Sequence, residues 1–177
     1  MIKKFIIISL ASLTALSNPI KAKAELDDDT ANLLTLNIGA LQALDEDRSG
    51  EFGATMKFSP VAKISDESNL RPIVGFSLSP DRGAYGFVGA EIDWEVVDDI
   101  HFSPSFAIAG YENYGGKDLG GALEFRSGFE IAYELENEHR VGFALYHLSN
   151  AGIHGDNPGT ESAQITYSIP LGKKKCH

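Results

Sequence analysis

Ser162-Ala163-Gln164-Ile165-Thr166-Tyr167-Ser168-Ile169-Pro170-Leu171 alternates without a break. Ala163, Ile165, Tyr167, Ile169 and Leu171 share one parity, and Ser162, Gln164, Thr166 and Ser168 share the other. A period of two is that of a β-strand with two unlike faces. Seven earlier stretches repeat the pattern. Their apolar parities are Leu34/Leu36/Ile38/Ala40, Phe52/Ala54/Met56/Phe58, Val74/Phe76/Leu78, Val88/Ala90/Ile92/Trp94, Ile100/Phe102/Phe106/Ile108, Leu123/Phe125/Phe129/Ile131/Tyr133/Leu135 and Val141/Phe143/Leu145. Turn-forming residues separate them, notably Asp45–Gly50, Ser79–Gly83 and Tyr114–Asp118. The chain therefore reads as all-β, with eight strands of roughly the 9–11 residues that cross a bilayer at a tilt.

Two barrels are compatible with that pattern. A soluble lipocalin-like binder turns its apolar parity inward around a pocket. A membrane barrel turns it outward and keeps the polar parity inside. Here the polar parity carries Glu91, Asp93, Glu124, Glu130 and Glu134 together with Lys57, Arg126 and Arg140. Opposite charges of this kind can pair in a narrow polar lumen, which favours an eight-stranded antiparallel transmembrane β-barrel. An even strand number puts both termini on the periplasmic side. The connectors after strands 1, 3, 5 and 7 then face outward, and the short ones at 97–99 and 136–139 face inward. The connector at 59–69 is long for a periplasmic turn. Trp94 and the tyrosines are expected in an interfacial belt.

The N-terminus reads as a leader. Lys3 and Lys4 precede an apolar run, Phe5–Leu16, and Ala22-Lys23-Ala24 fits a small-x-small cleavage site. Residues 1–24 are thus expected to be a cleaved signal peptide and 25–177 the barrel domain. Four of the 15 basic residues (Lys3, Lys4, Lys21, Lys23) and none of the 25 acids precede Glu25, so the remainder carries a formal charge of −14. Such a surface does not suit nucleic acid. The single cysteine, Cys176, cannot form an internal disulfide, and no Cys/His cluster has zinc-ligand spacing.

The segment Tyr146–Ser162 holds the candidate chemistry. His147 and Ser149 continue the parity of Val141, Phe143 and Leu145, and Glu161 opens the parity of Ala163 and Ile165. All three polar groups are therefore expected on the lipid-facing wall, where an ionisable side chain is costly and usually functional. Residues i and i+2 of a strand point the same way, about 7 Å apart. An imidazole can bridge most of that distance, and a carboxylate on the next strand can reach its other nitrogen. The arrangement is that of a nucleophile, a base and an orienting acid. By itself His-x-Ser is a weak signal, and a polar girdle at the membrane interface is the other reading. The glycines Gly152, Gly155 and Gly159 equally suit a simple turn.

The longer string His147-Leu148-Ser149-Asn150-Ala151-Gly152, with Asn157, Gly159, Glu161, Ser162, Tyr167 and Ile169-Pro170, resembles the lipid A 3-O-deacylase (PagL-type) family of outer-membrane barrels. The resemblance implies an outer-membrane serine esterase that removes the ester-linked 3-O acyl chain, a 3-hydroxy fatty acid, from the lipid A of lipopolysaccharide. It implies His147 as general base, Ser149 as nucleophile and Glu161 as orienting acid. It makes Asn157 and Gly152 oxyanion candidates and leaves Asn150 to position substrate or shape the turn. No metal or organic cofactor is expected. The expected partners are lipid A and the surrounding lipid, with the chain as a monomer or homodimer. His154, in the same loop, is expected to be solvated, although a lipid A phosphate is a conceivable partner. The alternative function is a structural barrel without turnover.

Overall fold

The computed structural model describes residues 31–172. The expected leader and Cys176 lie outside them. Nine strands follow in order: β1 (Asn32–Leu41), β2 (Ser49–Lys57), β3 (Ala62–Lys63), β4 (Ser68–Ser79), β5 (Gly83–Val97), β6 (Ile100–Glu112), β7 (Leu123–Glu134), β8 (Arg140–Ser149) and β9 (Thr160–Leu171). Eight are long. They form one antiparallel sheet in the order β2-β1-β9-β8-β7-β6-β5-β4, and β2 pairs with β4 to close it. Closure leaves the long strands without a free edge, so their backbone groups are satisfied within the barrel. The two-residue β3 pairs with Leu70 and Asn69. It folds the long 58–67 connector back onto β4, which explains its length.

The expected parity holds. Ile38 (68% exposed), Val88 (61%), Phe106 (57%) and Ile165 (55%) face outward, whereas Lys57, Arg71, Glu91, Asp93, Glu124, Arg126 and Glu130 are buried. Each such apolar side chain left in water would forgo about 1.5–3 kcal/mol, so this surface suits hydrocarbon. Trp94, Tyr133 and Tyr167 are exposed near the end with the 98–99 and 135–139 turns, as an interfacial belt requires. Tyr85, Tyr111 and Tyr146 depart from the belt expectation. They fall on the inward parity and are buried.

Side chains cross the lumen at successive levels, and a cavity of about 280 Å³ opens at its short-turn end. Near the short-turn end, Asp93 accepts hydrogen bonds from Arg71 Nε (2.9 Å) and Arg140 Nη1 (3.0 Å), and it lies 2.9 Å from His101 Nδ1. At mid-height Lys57 reaches Glu91 (3.2 Å) and Glu130 (3.3 Å). Above them the Arg126 guanidinium sits 3.3 Å from the Tyr146 ring centroid and 4.1 Å from that of Phe87. Glu51 accepts hydrogen bonds from Ser77, Tyr85, Ser162 and Gln164. The long-loop end is sealed by Leu41, Tyr111, Leu119 and Leu148. Pairing of lumenal charge is incomplete, since both Glu124 carboxylate oxygens lack a hydrogen-bond partner.

Candidate active site

β8 carries His147 and Ser149 to the long-loop end, and β9 begins there. The antiparallel register places His147 directly opposite Glu161. Both face outward, with side chains 46% and 33% exposed, and His147 Nδ1 lies 3.2 Å from Glu161 Oε1. That contact favours the tautomer with the proton on Nδ1, which leaves Nε2 free to accept a hydrogen bond. Gly159 (φ +61°) packs against this edge of the ring. A Cβ there would lie 2.7 Å from His147 Cε1 and 3.1 Å from Nε2, so only glycine suits both the backbone and the space.

Ser149 is two residues further along β8, half-buried and opposite Phe125. The hydrogen bond of His147 runs to Glu161 and not to Ser149. Catalytic hydrogen bonds are often loose in unliganded sites and tighten around substrate. A second serine, Ser127 of β7, is the cross-strand partner of His147 on its other side and is exposed. The sequence reading missed it. The available signal was a break in the apolar parity of β7, where Ser127 stands between Phe125 and Phe129.

The loop joining β8 to β9 is built on Asn150, which is fully buried. Its Nδ2 donates to Leu119 O (2.7 Å) and Asp156 O (2.8 Å), and its backbone N–H donates to Asn157 Oδ1 (2.9 Å). Its Oδ1 accepts from Gly152 N–H (2.9 Å). Ala151 (φ 54°) and Gly152 (φ 78°) are both left-handed, and Ile153 N–H donates to Asn150 O (3.1 Å). This is a type I′ turn, which for the non-glycine Ala151 costs about 1–2 kcal/mol. Of the three residues expected to position substrate, Asn150 therefore shapes the loop, and Gly152 N–H is already engaged. Asn157 is exposed and keeps its Nδ2 donors.

His101 lies in the lumen between Asp93 and Glu134. His154 is half-buried rather than fully solvated, and its ring lies over Gly121.

The family model described as lipid A 3-O-deacylase (PagL) matches residues 98–170. The resemblance read from the 147–170 string thus extends over the four C-terminal strands. A lipid A deacylase PagL of Bordetella bronchiseptica is 34% identical over 56 residues, covering 32% of each chain. One of Pseudomonas aeruginosa is 35% identical over 57 residues, covering 32% of this chain and 33% of that protein. The matched stretch spans about a third of the length of these relatives. The crystal structure of the outer-membrane enzyme PagL superposes with a TM-score of 0.66 at 17% identity, covering 78% of this chain and 99% of that one. Neisserial surface protein A superposes at 0.51 and 9% identity, covering 79% and 97%. At these identities the superpositions establish the eight-stranded barrel, and the sequence matches carry the family resemblance.

Proposed function

From its resemblance to the lipid A 3-O-deacylase (PagL) family, we propose that this chain is an outer-membrane serine esterase removing the 3-O acyl chain of lipid A. The observation that carries the reading is the His147–Glu161 pair, on the lipid-facing wall at the rim and two residues from Ser149. An ionisable pair in that position needs a purpose, and an acyl ester lying alongside the barrel supplies one. The signal peptide over residues 1–24 belongs to the same reading, since export precedes insertion. With the termini on the periplasmic side, the long-loop end meets the outer leaflet.

In the proposed reaction His147 Nε2 takes the Ser149 hydroxyl proton as Oγ bonds to the acyl carbonyl carbon. Glu161 stabilises the resulting imidazolium. Asn157 Nδ2 is the candidate donor to the tetrahedral oxyanion. Such donors typically contribute about 3–4 kcal/mol. Collapse breaks the carbonyl carbon–sugar oxygen bond, and the imidazolium returns its proton to the departing 3-hydroxyl. Water then attacks the acyl-serine, passing a proton to His147. The fatty acid is released as the imidazolium reprotonates Ser149.

The absent Ser149–His147 hydrogen bond favours a second reading, a structural barrel that has kept the pattern without turnover. Mass spectrometry of lipid A separates the two. Cells expressing the unmodified protein should yield lipid A lacking one 3-hydroxyacyl chain, and cells expressing Ser149→Ala should yield it intact. Intact lipid A in both would support the structural barrel.

A further inference from the structure

The loop that would carry the oxyanion donor does not stand alone. The β6–β7 connector reaches it through Leu119-Gly120-Gly121. Leu119 is 1% exposed and packs in the cluster with Leu41, Tyr111 and Leu148, so this connector is anchored in the barrel mouth. Its carbonyl accepts from Asn150 Nδ2. Gly120 (φ +89°) lies against the loop so closely that a Cβ would meet the Asp156 carbonyl oxygen at 2.2 Å and Asn150 Nδ2 at 3.2 Å. A Cβ on Gly121 would meet His154 Cδ2 and Nε2 at 2.2 Å. The two loops leave between them a cleft of about 470 Å³, lined by Asp118, Gly120, Asp156, Asn157 and Pro158. A hairpin connector needs none of these contacts to join β6 to β7.

We propose that Leu119-Gly120-Gly121 is a latch that positions the catalytic loop, with Asn150 as the positioning residue that links them. The inference rests on the esterase reading above. Asn150 joins the latch to Asp156 and Asn157 by three hydrogen bonds. Two residues beyond Asn157, Gly159 touches the His147 ring. Displacing Gly120 therefore moves the Asn157 donors and the His147 edge relative to Ser149, while neither Gly120 nor Leu119 touches the reacting atoms. A misplacement of about 1 Å at a catalytic group can cost on the order of a hundredfold in rate.

The test uses the full mature chain folded in detergent, with a p-nitrophenyl ester of a medium-chain fatty acid as probe. Active sites are counted by fluorophosphonate labelling of Ser149, and folding is followed by heat-modifiable electrophoretic mobility. Gly120→Ala should lower kcat per labelled site by about 10- to 100-fold and leave KM and mobility unchanged. Gly155→Ala, in the β8–β9 loop, has nothing within 4 Å of its Cβ and should match the unmodified protein. A merely structural defect would reduce the number of labelled sites rather than turnover per site. A folded Gly120→Ala that turns over like Gly155→Ala overturns the latch. Should Gly120→Ala fail to fold, Asn150→Asp replaces it, keeping the side-chain shape while exchanging both amide donors for an acceptor. The same kcat loss is expected, and full turnover overturns the latch. An unmodified protein without activity overturns the esterase reading, and the latch with it.

Discussion

At the scale of single residues, the outward face around β8 sets two serines beside one histidine, Ser149 on its own strand and Ser127 across the ladder, and geometry separates their roles. Glu161 draws Nδ1 toward β9, and Gly159 bounds the ring on its Nε2 edge. Ser127 lies on the opposite, β7 side. Ser127→Ala should therefore keep kcat within about twofold of the unmodified protein, because an exposed serine without a catalytic contact contributes little. Loss of activity in Ser127→Ala would move the nucleophile to β7. Glu161→Gln keeps the size of the orienting group and removes its charge. The amide can present the wrong partner to Nδ1 and cannot stabilise the imidazolium, so kcat should fall by about 10²–10⁴-fold with KM little changed. Steady-state kinetics on a soluble ester reads both. A Glu161→Gln variant with full kcat would leave the pair as an interface contact only.

At the scale of elements, parity along each strand decides what a side chain meets. Ile165 stands in the middle of β9, faces outward, and is flanked by Ile38 on β1 and Phe143 on β8. Ile165→Lys should destabilise the barrel in bilayers by about 2–4 kcal/mol, and the same change at Leu123, near the rim, by about 0–1 kcal/mol. Reversible denaturant unfolding in lipid vesicles measures the difference, and equal costs at both positions would mean that the wall does not face hydrocarbon. The same parity made most of the fold legible. Alternation alone gave the eight long strands, the outward apolar wall and the shared face of His147, Ser149 and Glu161, because period two is a local property. It could not give what depends on contacts distant in sequence. The docking of Leu119 on Asn150 joins two loops that share no pattern. The hairpin at β3 rests on only two pairs. Ser127 became visible as a neighbour of His147 only once register was known, since the pairing of β7 with β8 is set by the turn between them.

At the scale of the whole molecule, the question is whether so polar a barrel conducts. Small eight-stranded barrels have room for side chains and little else, and here the side chains occupy successive levels. The Arg71–Asp93–Arg140 cluster crosses the lumen near one end. Lys57 joins β2 to Glu91 on β5 and Glu130 on β7, strands on different sides of the wall. Arg126 lies between Phe87 and Tyr146, and the apolar cluster of Leu41, Leu119 and Leu148 closes the long-loop mouth. A hydrated ion would have to displace paired charges from one another, and breaking a buried pair costs about 3–5 kcal/mol. Several such layers in series leave no conducting path. The protein reconstituted in planar bilayers should therefore give no discrete conductance steps, while the same preparation hydrolyses ester. Stable unitary currents would show that the lumen opens and that the polar interior serves transport. Their absence alongside turnover would leave the lumen with a mechanical role, holding β7, β8 and β9 rigid so that a site on the outer wall keeps its geometry in fluid lipid.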